Sequence, residues 1–280
     1  FPEWEWFDGM DWPDGATVHI SVAGKACDTA ADSWGGFFNG GFPEGCDVAA
    51  GDEVTFTDGV TTRTHTVRTL AITGWNVNAN TLSGLADSGT QLVVWPHEYD
   101  PVFPVAGSDG TWTADFTAVG VDLMENMGGR AEIHDETDNA TSVEWWIPNP
   151  HFTVFPEWEW FDGMDWPDGA TVHISVAGKA CDTTAGSWGG FFNGGFPEGC
   201  DVAVDDVVTF TDGTTTREHT VRDLAITSVD KDMNIVSGTA VTGEVVYAWV
   251  HDHGYDMEIE VTDGTWQADF GSAGLDLVGG

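Results

Sequence analysis

Residues 1–29 have the sequence FPEWEWFDGMDWPDGATVHISVAGKACDT, and the same 29 residues recur at positions 155–183. The offset of 154 then continues without a gap to Gly280, so that Cys46 corresponds to Cys200 and Trp112 to Trp266. A fixed period of this length indicates a tandem-repeat protein. The second copy stops before the counterparts of residues 127–154, and we interpret the chain as a segment of a longer array.

The two copies diverge unevenly along the period. Residues 1–49 differ from their counterparts at two positions only, where Ala30 and Asp32 correspond to Thr184 and Gly186. Residues 74–108 agree with theirs at few positions. This difference indicates either a constraint on the first segment or a recent homogenisation of it.

Alternating apolar and polar residues predict strands throughout the chain. The pattern is clear at Thr17–Val22, Glu53–Thr57, Arg63–Val67 and Thr111–Phe116. Turn dipeptides such as Asp8-Gly9 and Asp58-Gly59 separate these runs at short intervals. No capped apolar stripe of helical period is present, so the sequence predicts an all-β protein.

Each period divides once more, which predicts two β-sandwich modules per 154-residue repeat. From Leu70 onward seven short strands predict an immunoglobulin-like sandwich: Leu70–Thr73, Thr81–Ala86, Gln91–His97, Val102–Ala106, Thr111–Phe116, Arg130–His134 and Thr141–Ile147. The other half of the period predicts a smaller sandwich of about five strands with a glycine-rich insertion. The expected domains are residues 1–68, 69–150, 151–222 and 223–280, the last one without its final strands.

The pattern LxITxxxxxxxTxSGxAxxGxxxxVW spans Leu70–Trp95 and, in relaxed form, Leu224–Trp249. It resembles the tandem Ig-like repeats of bacterial surface and extracellular proteins. That resemblance implies a secreted stalk, adhesin or filament component, often stiffened by calcium, and it implies no active site. A fold-level resemblance supports the architecture better than the function.

The chain contains 47 acidic and 8 basic residues, a formal net charge of −39. Such a chain would repel nucleic-acid phosphates and anionic membranes. The apolar runs are shorter than the roughly 20 residues that span a bilayer, so no membrane insertion is expected. The composition, 41% hydrophobic with 15 Trp and 16 Phe, indicates packed cores rather than a disordered acidic tail. Adaptation to high salt is another explanation of the charge.

The four cysteines form two equivalent pairs, Cys27 with Cys46 and Cys181 with Cys200. Three connectivities are open, and a repeat that folds by itself favours pairing within each copy. Zinc would need further ligands two to four residues away, which the sequence lacks. Two disulfides would indicate an oxidising, extracellular location.

The loop between the first two cysteines is rich in aromatic residues. They could pack inward on their own module, or they could contact a neighbouring repeat or another copy of the chain, because aromatic anchors dominate interfaces. The candidate interface residues are Trp34, Phe37, Phe38, Trp188, Phe191 and Phe192.

The opening segment concentrates carboxylates between aromatic residues. In a strand, Glu3 and Glu5 would share one face and Trp4 and Trp6 the other. A half-buried strand is the simplest interpretation, a calcium site is the second because hard cations take clustered oxygen ligands, and sugar binding by exposed tryptophans is the third. The candidate calcium ligands are Asp8, Asp11, Asp162, Asp165, Asp135, Asp138 and Asn139.

No nucleophile elbow, zinc-protease motif or phosphate-binding loop is present in the sequence. We therefore expect no enzyme and no organic cofactor. The sequence predicts a secreted structural repeat protein, with a carbohydrate-binding or adhesive module as the alternative.

Overall fold

A computed structural model describes residues 2, 7–26, 29–39, 48–187, 189–193, 201–250 and 256–277, without the side chains of residues 38, 39, 192 and 193. The chain is all-β, and its described strands pair antiparallel. It divides into two compact units, residues 1–148 and 149–280. Each unit contains two apolar cores, numbered first to fourth along the chain.

The first core lies between a two-stranded sheet, β1–β5, and a sheet of order β3-β2-β6-β7 in which β4 also pairs with β2. Val18, Ile20 and Val22 point inward at alternate positions of β2, as the TVHISV pattern predicts. Phe7 and Phe37 cover them from the smaller sheet. The strands are β1 (Phe7–Gly9), β2 (Thr17–Val22), β3 (Lys25–Ala26), β4 (Thr29–Ala30), β5 (Phe37–Asn39), β6 (Glu53–Thr57) and β7 (Thr62–Thr66).

The second core fills a sandwich of two three-stranded sheets, β8-β9-β11 and β10-β12-β13. Leu82 and Trp112 come from one sheet, and Val94, Ile133 and Trp145 from the other. A 3-10 helix, Phe116–Val119, follows β11. The strands are β8 (Leu70–Asn76), β9 (Thr81–Ala86), β10 (Val93–Pro96), β11 (Thr111–Asp115), β12 (Gly128–His134) and β13 (Ala140–Trp146).

Buried tryptophans of this sandwich lie over glycines of the adjacent strand. Trp112 is paired with Gly84, and Trp145 with Gly129. A Cβ at either glycine would overlap the indole ring that covers it. Trp266 and Gly238 repeat the arrangement in the fourth core, so the motif belongs to both copies of the period.

Among the described residues, the smaller sheet of the third core has three strands, whereas the smaller sheet of the first core has two. The sheets of the third core have the orders β14-β15-β19 and β17-β16-β20-β21, with β18 pairing with β16. The strands are β14 (His151–Phe155), β15 (Trp160–Met164), β16 (Thr171–Val176), β17 (Lys179–Ala180), β18 (Thr183–Thr184), β19 (Phe191–Asn193), β20 (Val207–Thr211) and β21 (Thr216–Thr220).

The fourth core is formed by sheets β22-β23-β26 and β24-β25, and a second 3-10 helix, Gly271–Ala273, follows the last strand. The strands are β22 (Leu224–Asp230), β23 (Ile235–Ala240), β24 (Val245–Trp249), β25 (Asp256–Glu260) and β26 (Thr265–Asp269).

Most predicted strands are confirmed within a few residues, but Val102–Ala106 is not a continuous strand. It makes isolated bridges to the segment before it. Pro104 accepts a hydrogen bond from the backbone N–H of Leu92 at 2.9 Å but has no N–H to return. The corresponding position in the second copy is Glu258, and that segment forms β25.

The strand predicted for the Glu-Trp-Glu-Trp motif is wrong in the second copy. Residues 156–159 form the turn between β14 and β15, with Glu159 in the left-handed region at φ 52°. Trp158 is consequently exposed at the tip of the hairpin. In the first copy the motif lies outside the described residues.

Candidate functional site: the module junction and the linker strand

A buried histidine joins the first and second cores within the first unit. His65 lies on β7, where its neighbours are exposed, yet it is itself only 9% exposed. Its Nδ1 lies 2.8 Å from Asp135 Oδ2, and its Nε2 lies 2.8 Å from Thr141 Oγ1. Because a carboxylate only accepts hydrogen bonds, Nδ1 carries the hydrogen.

Asp135 is held in place by its own turn between β12 and β13. Its Oδ1 accepts hydrogen bonds from the backbone N–H of Thr137 at 2.8 Å and of Asn139 at 3.1 Å, and from Thr137 Oγ1 at 2.7 Å. Burial acts to raise the pKa of Asp135, but the bonds from His65, Thr137 and Asn139 outweigh it and hold that pKa well below its ordinary value. The carboxylate is therefore a fixed, ionised partner for His65.

Arg68 adds a second set of contacts at this junction. Its backbone N–H donates to Thr141 Oγ1 at 2.9 Å, and its Nε donates to Asp87 Oδ2 at 2.7 Å. This hydrogen bond from the guanidinium lowers the pKa of Asp87. Only three residues, 67–69, separate β7 from β8, so a short connection and a hydrogen-bonded contact together fix the two sandwiches.

The second copy retains the arginine with a different partner. Arg222 corresponds to Arg68, and its Nε lies 3.2 Å from Glu244 Oε1. The counterpart of Asp87 is Val241, and Glu244 is the counterpart of Thr90. The carboxylate has changed position while the ion pair has remained, which indicates that both copies use it to connect a small module to the next one.

A second polar cluster, which the sequence patterns did not predict, lies close to the junction. The Glu132 carboxylate is largely buried, 3.6 Å from Arg130 Nη1, 2.7 Å from His134 Nε2 and 3.2 Å from Ser142 Oγ. A buried carboxylate needs such compensation. The alternation of Arg130, Glu132 and His134 on one face of β12 was the sequence signal for this cluster.

The candidate calcium ligands are distributed over three places. Asp135 and Asn139 bond to each other and to Thr137 inside their turn, and Asp138 contacts His134 Nδ1 at 2.9 Å. Asp8 and Asp162 lie on β1 and β15, while Asp11 and Asp165 follow these strands with φ angles of 63° and 61°. In the described part of the chain no three acidic, histidine or cysteine side chains form a group suited to a metal. Calcium binding stays a prediction.

The predicted interface aromatics have different environments. Phe37 is buried in the first core and stacks on Phe56, and Phe191 is buried in the third core and stacks on Phe210. These two rings therefore pack inward on their own modules. Trp34 is 64% exposed. Trp188 and the side chains of Phe38 and Phe192 lie outside the described residues, so an interface role for this loop stays a prediction.

Of the cysteines, Cys181 is buried in the third core. Cys27, Cys46 and Cys200 lie outside the described residues. The two disulfide pairings stay predictions.

The segment that connects the two repeats becomes an integral strand of the second unit. β14 pairs with β15 over five residue pairs, from His151 with Met164 to Phe155 with Trp160. Phe152 stacks on Phe210 with ring centroids 3.9 Å apart, and Phe152 and Val154 pack on the third core. We call β14 the linker strand.

Two side chains of the second unit bind the backbone of this segment. Trp166 Nε1 donates to the carbonyl oxygen of His151 at 3.0 Å, and Arg217 Nε donates to the carbonyl oxygen of Pro150 at 2.7 Å. The linker strand is therefore held by its backbone pairing with β15, by the stacking of Phe152 on Phe210 and by two side-chain hydrogen bonds.

Three aromatic rings form a cluster at the tip of the β14–β15 hairpin. Phe155 and Trp158 are nearly parallel with centroids 6.0 Å apart, and Trp160 packs edge-on against Trp158 at 5.1 Å. Trp158 is 58% exposed, and none of the three belongs to the third core. An aromatic face is thus presented to solvent.

Comparison with solved structures gives adhesion proteins at low similarity. A tetra-tandem repeat from the extending region of a large adhesion protein is 16% identical over 93% of this chain and 85% of that chain, with a TM-score of 0.22. A Ca²⁺-stabilised adhesin with which an Antarctic bacterium binds ice is 18% identical, with coverages of 92% and 82% and a TM-score of 0.19. A 1.5-MDa bacterial ice-binding adhesin is 16% identical, with coverages of 75% and 86% and a TM-score of 0.21.

No protein-family model and no curated protein matches the chain. Within the described ranges, no helix has the length and apolar character needed to cross a membrane. Since the TM-scores are this low, we base the proposed function on the geometry of the chain.

Proposed function

We propose that the chain is a non-enzymatic spacer segment of a secreted tandem-repeat protein, part of an extracellular filament, stalk or surface adhesin. The observation that carries this proposal is the junction of His65 with Asp135 and Thr141. It couples two β-sandwich modules through one buried and one partly buried hydrogen bond across a three-residue connection. A protein that serves as an extended spacer needs stiff connections of this kind between its modules.

Bending at the junction would break several hydrogen bonds at once. Moving the second core away from β7 would break the hydrogen bond between His65 and Asp135. It would also remove Thr141 Oγ1, the acceptor of the Arg68 backbone N–H. A buried polar group that loses its partner costs about 1–3 kcal/mol. The net charge of −39 acts in the same direction, because like-charged modules repel and favour an extended chain.

Spin labels can test the rigidity of this junction in the full chain. We place them at the exposed positions Val60, next to the first core, and Met124, next to the second, through an introduced unnatural amino acid that leaves the cysteines unchanged. A narrow distance distribution is expected for the parent chain, and a broad one after His65→Ala. His219→Ala, at the exposed counterpart in the second unit, is the matched control. A broad distribution in the parent chain would contradict the proposal.

The extracellular location is tested separately on the source cells. Protease added to intact cells should degrade the protein, and antibodies to the repeat should label the cell surface or the medium. Protection until the cells are lysed would contradict this part of the proposal.

Calcium and the two disulfides belong to the same proposal. Carboxylates such as Asp8, Asp11 and their counterparts Asp162 and Asp165 offer hard oxygen ligands on a strongly acidic chain. We expect calcium to raise the thermal midpoint and EDTA to reverse the effect, whereas reduction should lower it. An unchanged midpoint after EDTA treatment would remove calcium from the proposal.

Sugar binding is a second candidate, favoured by the exposed aromatic cluster of Phe155, Trp158 and Trp160. The face of Trp158 is open to solvent and lies between Glu157 and Glu159 in sequence, so it combines an apolar platform with hydrogen-bond acceptors. Binding on a glycan array that is lost in Trp158→Ala but kept in Trp146→Ala, another exposed tryptophan, would support it. An array without signal would exclude it.

A further inference from the structure

A shallow depression of about 570 Å³ lies on the outward face of the sheet β10-β12-β13. Val94 and Ile133 point into the second core, so the alternating residues Trp95, Glu132 and His134 of the same strands point outward. These three outward residues line the depression. All of its lining residues lie between positions 93 and 138, within the second sandwich.

Part of the lining is aromatic. Trp95 is partly buried in the sheet, and Tyr99, from the turn after β10, is 53% exposed. Pro101 extends this apolar part of the surface. Aromatic rings that stay open to solvent offer a flat apolar platform for the C–H groups of a ligand.

The other part of the lining is polar and fixed in orientation. The carboxylate of Glu132 is largely buried and contacts His134 Nε2 at 2.7 Å and Ser142 Oγ at 3.2 Å, with Arg130 Nη1 at 3.6 Å. His134 Nδ1 in turn lies 2.9 Å from Asp138 Oδ1. Because these groups hold one another in place, a ligand would lose little free energy in ordering them. A carboxylate has about four acceptor positions, so both acids can accept further hydrogen bonds.

The charges around the depression select the class of ligand. Two carboxylates line it and the whole chain has a net charge of −39, which disfavours an acidic ligand. The buried charge of Glu132 is already compensated by Arg130, so the site needs no cationic ligand. An uncharged ligand with apolar C–H faces and many hydroxyl groups matches both parts of the lining.

We propose that this depression binds a neutral saccharide. One sugar ring would lie against Trp95 and Tyr99, and its hydroxyl groups would donate hydrogen bonds to the carboxylates of Glu132 and Asp138. The site is distinct from the aromatic cluster around Trp158 in the second unit. A sugar bound here would make the spacer segment itself adhesive, which goes beyond a role in extension.

The divergence between the two copies supports a binding role. Four of the lining residues belong to the segment 74–108, in which the copies agree at few positions. The tryptophan is retained as Trp95 and Trp249, whereas the three others change: Val93, Tyr99 and Pro101 correspond to Tyr247, His253 and Tyr255. A retained platform with altered surroundings is expected where a rigid scaffold presents variable binding residues.

The test is the binding of neutral trisaccharides to the full chain by isothermal titration calorimetry, with maltotriose, cellotriose, mannotriose and chitotriose as the probes. At least one of them should bind saturably and increase hydrogen-exchange protection at residues 93–101 and 132–138. Trigalacturonate, an acidic trisaccharide, should bind at least tenfold more weakly than the best neutral probe.

Two variants locate the binding site. Tyr99→Ala and Glu132→Gln should each weaken binding at least fivefold, and Tyr99→Ala decides the test if Glu132→Gln lowers the thermal midpoint. Trp75→Ala is the matched control, because it removes another exposed tryptophan of the same sandwich, and it should leave the affinity unchanged.

Three results would overturn the proposal: no binding of any of the four neutral probes, equally tight binding of trigalacturonate, or unchanged binding in Tyr99→Ala. In the last case, Trp158→Ala shows whether the sugar binds at the hairpin tip of the second unit instead. None of these results bears on the rigidity of the His65 junction, so failure of this inference and failure of the spacer function are distinguishable.

Discussion

His65 and Asp135 are 70 residues apart in sequence and 2.8 Å apart in the structure, one on the last strand of the first core and the other in the β12–β13 turn of the second. Thr141 completes the contact by bonding the opposite ring nitrogen of His65. Because Thr141 also accepts the backbone N–H of Arg68, the chain is fixed on both sides of the short connection. This arrangement places one imidazole in hydrogen-bond contact with two residues of the next sandwich.

Replacing this imidazole should destabilise the first unit. His65→Ala removes two hydrogen bonds and leaves a partly buried Asp135 without its partner, which we expect to cost about 1–3 kcal/mol of unfolding free energy. Chemical denaturation of the full chain measures the loss. His219→Ala changes an exposed counterpart that packs edge-on against Phe152, with ring centroids 6.4 Å apart, and that makes no hydrogen bond among the described residues comparable to those of His65, so it should cost less than His65→Ala. Equal effects of the two changes would contradict the role assigned to His65.

Acid should weaken the same junction. The pKa of Asp135 is depressed in the folded state from an ordinary value of 3.8, so its contribution to stability is fully present above that value. The contribution should decline progressively as the pH falls below 3.8 toward the folded pKa. Unfolding curves measured across this range should show a smaller decline in Asp135→Asn than in the parent chain, and identical pH profiles would contradict the prediction.

The cross-strand pair of Trp112 and Gly84 should tolerate no added side chain. In Gly84→Ala the new methyl group would overlap the indole and the carbonyl oxygen of Ala71, and such overpacking costs about 1–3 kcal/mol. Gly74→Ala is the matched control, because a Cβ there would meet only Ser83 Oγ at an ordinary 3.7 Å. Thermal unfolding should separate the two variants, and a parent-like midpoint for Gly84→Ala would show that the sheet can relax.

Truncating the Phe152 side chain of the linker strand should destabilise the second unit. Phe152→Ala removes a ring stacked on Phe210 and opens the third core. We expect a loss of about 3 kcal/mol of unfolding free energy. This is the lower end of the range for buried phenylalanines, because Phe152 is only partly buried. Phe103→Ala, at an exposed position of the first unit, should change stability little. Hydrogen exchange in the variant should increase at residues 160–164, the partner of the linker strand.

The sequence by itself determined the period, the all-β class and the positions of most strands. Alternation at Thr17–Val22 and Thr81–Ala86 gives the observed strands with their observed ends, because a strand with one buried face must alternate at period two. The same reasoning failed where local chemistry overrode the pattern. Pro104 broke a predicted strand, and the four residues 156–159 formed a hairpin turn despite their alternation.

The tertiary structure alone decided which distant residues meet. Nothing in the local sequence distinguishes His65 from other strand histidines, or pairs it with Asp135 rather than with any of the other carboxylates of an acidic chain. The position of Trp112 over Gly84 likewise depends on the pairing register between β9 and β11, which are separated in the chain by the 24 residues 87–110. Periodicity reports which face of a strand is buried, whereas the partner of a buried residue is fixed by packing between segments far apart in the chain. That is why the His65 junction became visible only in three dimensions.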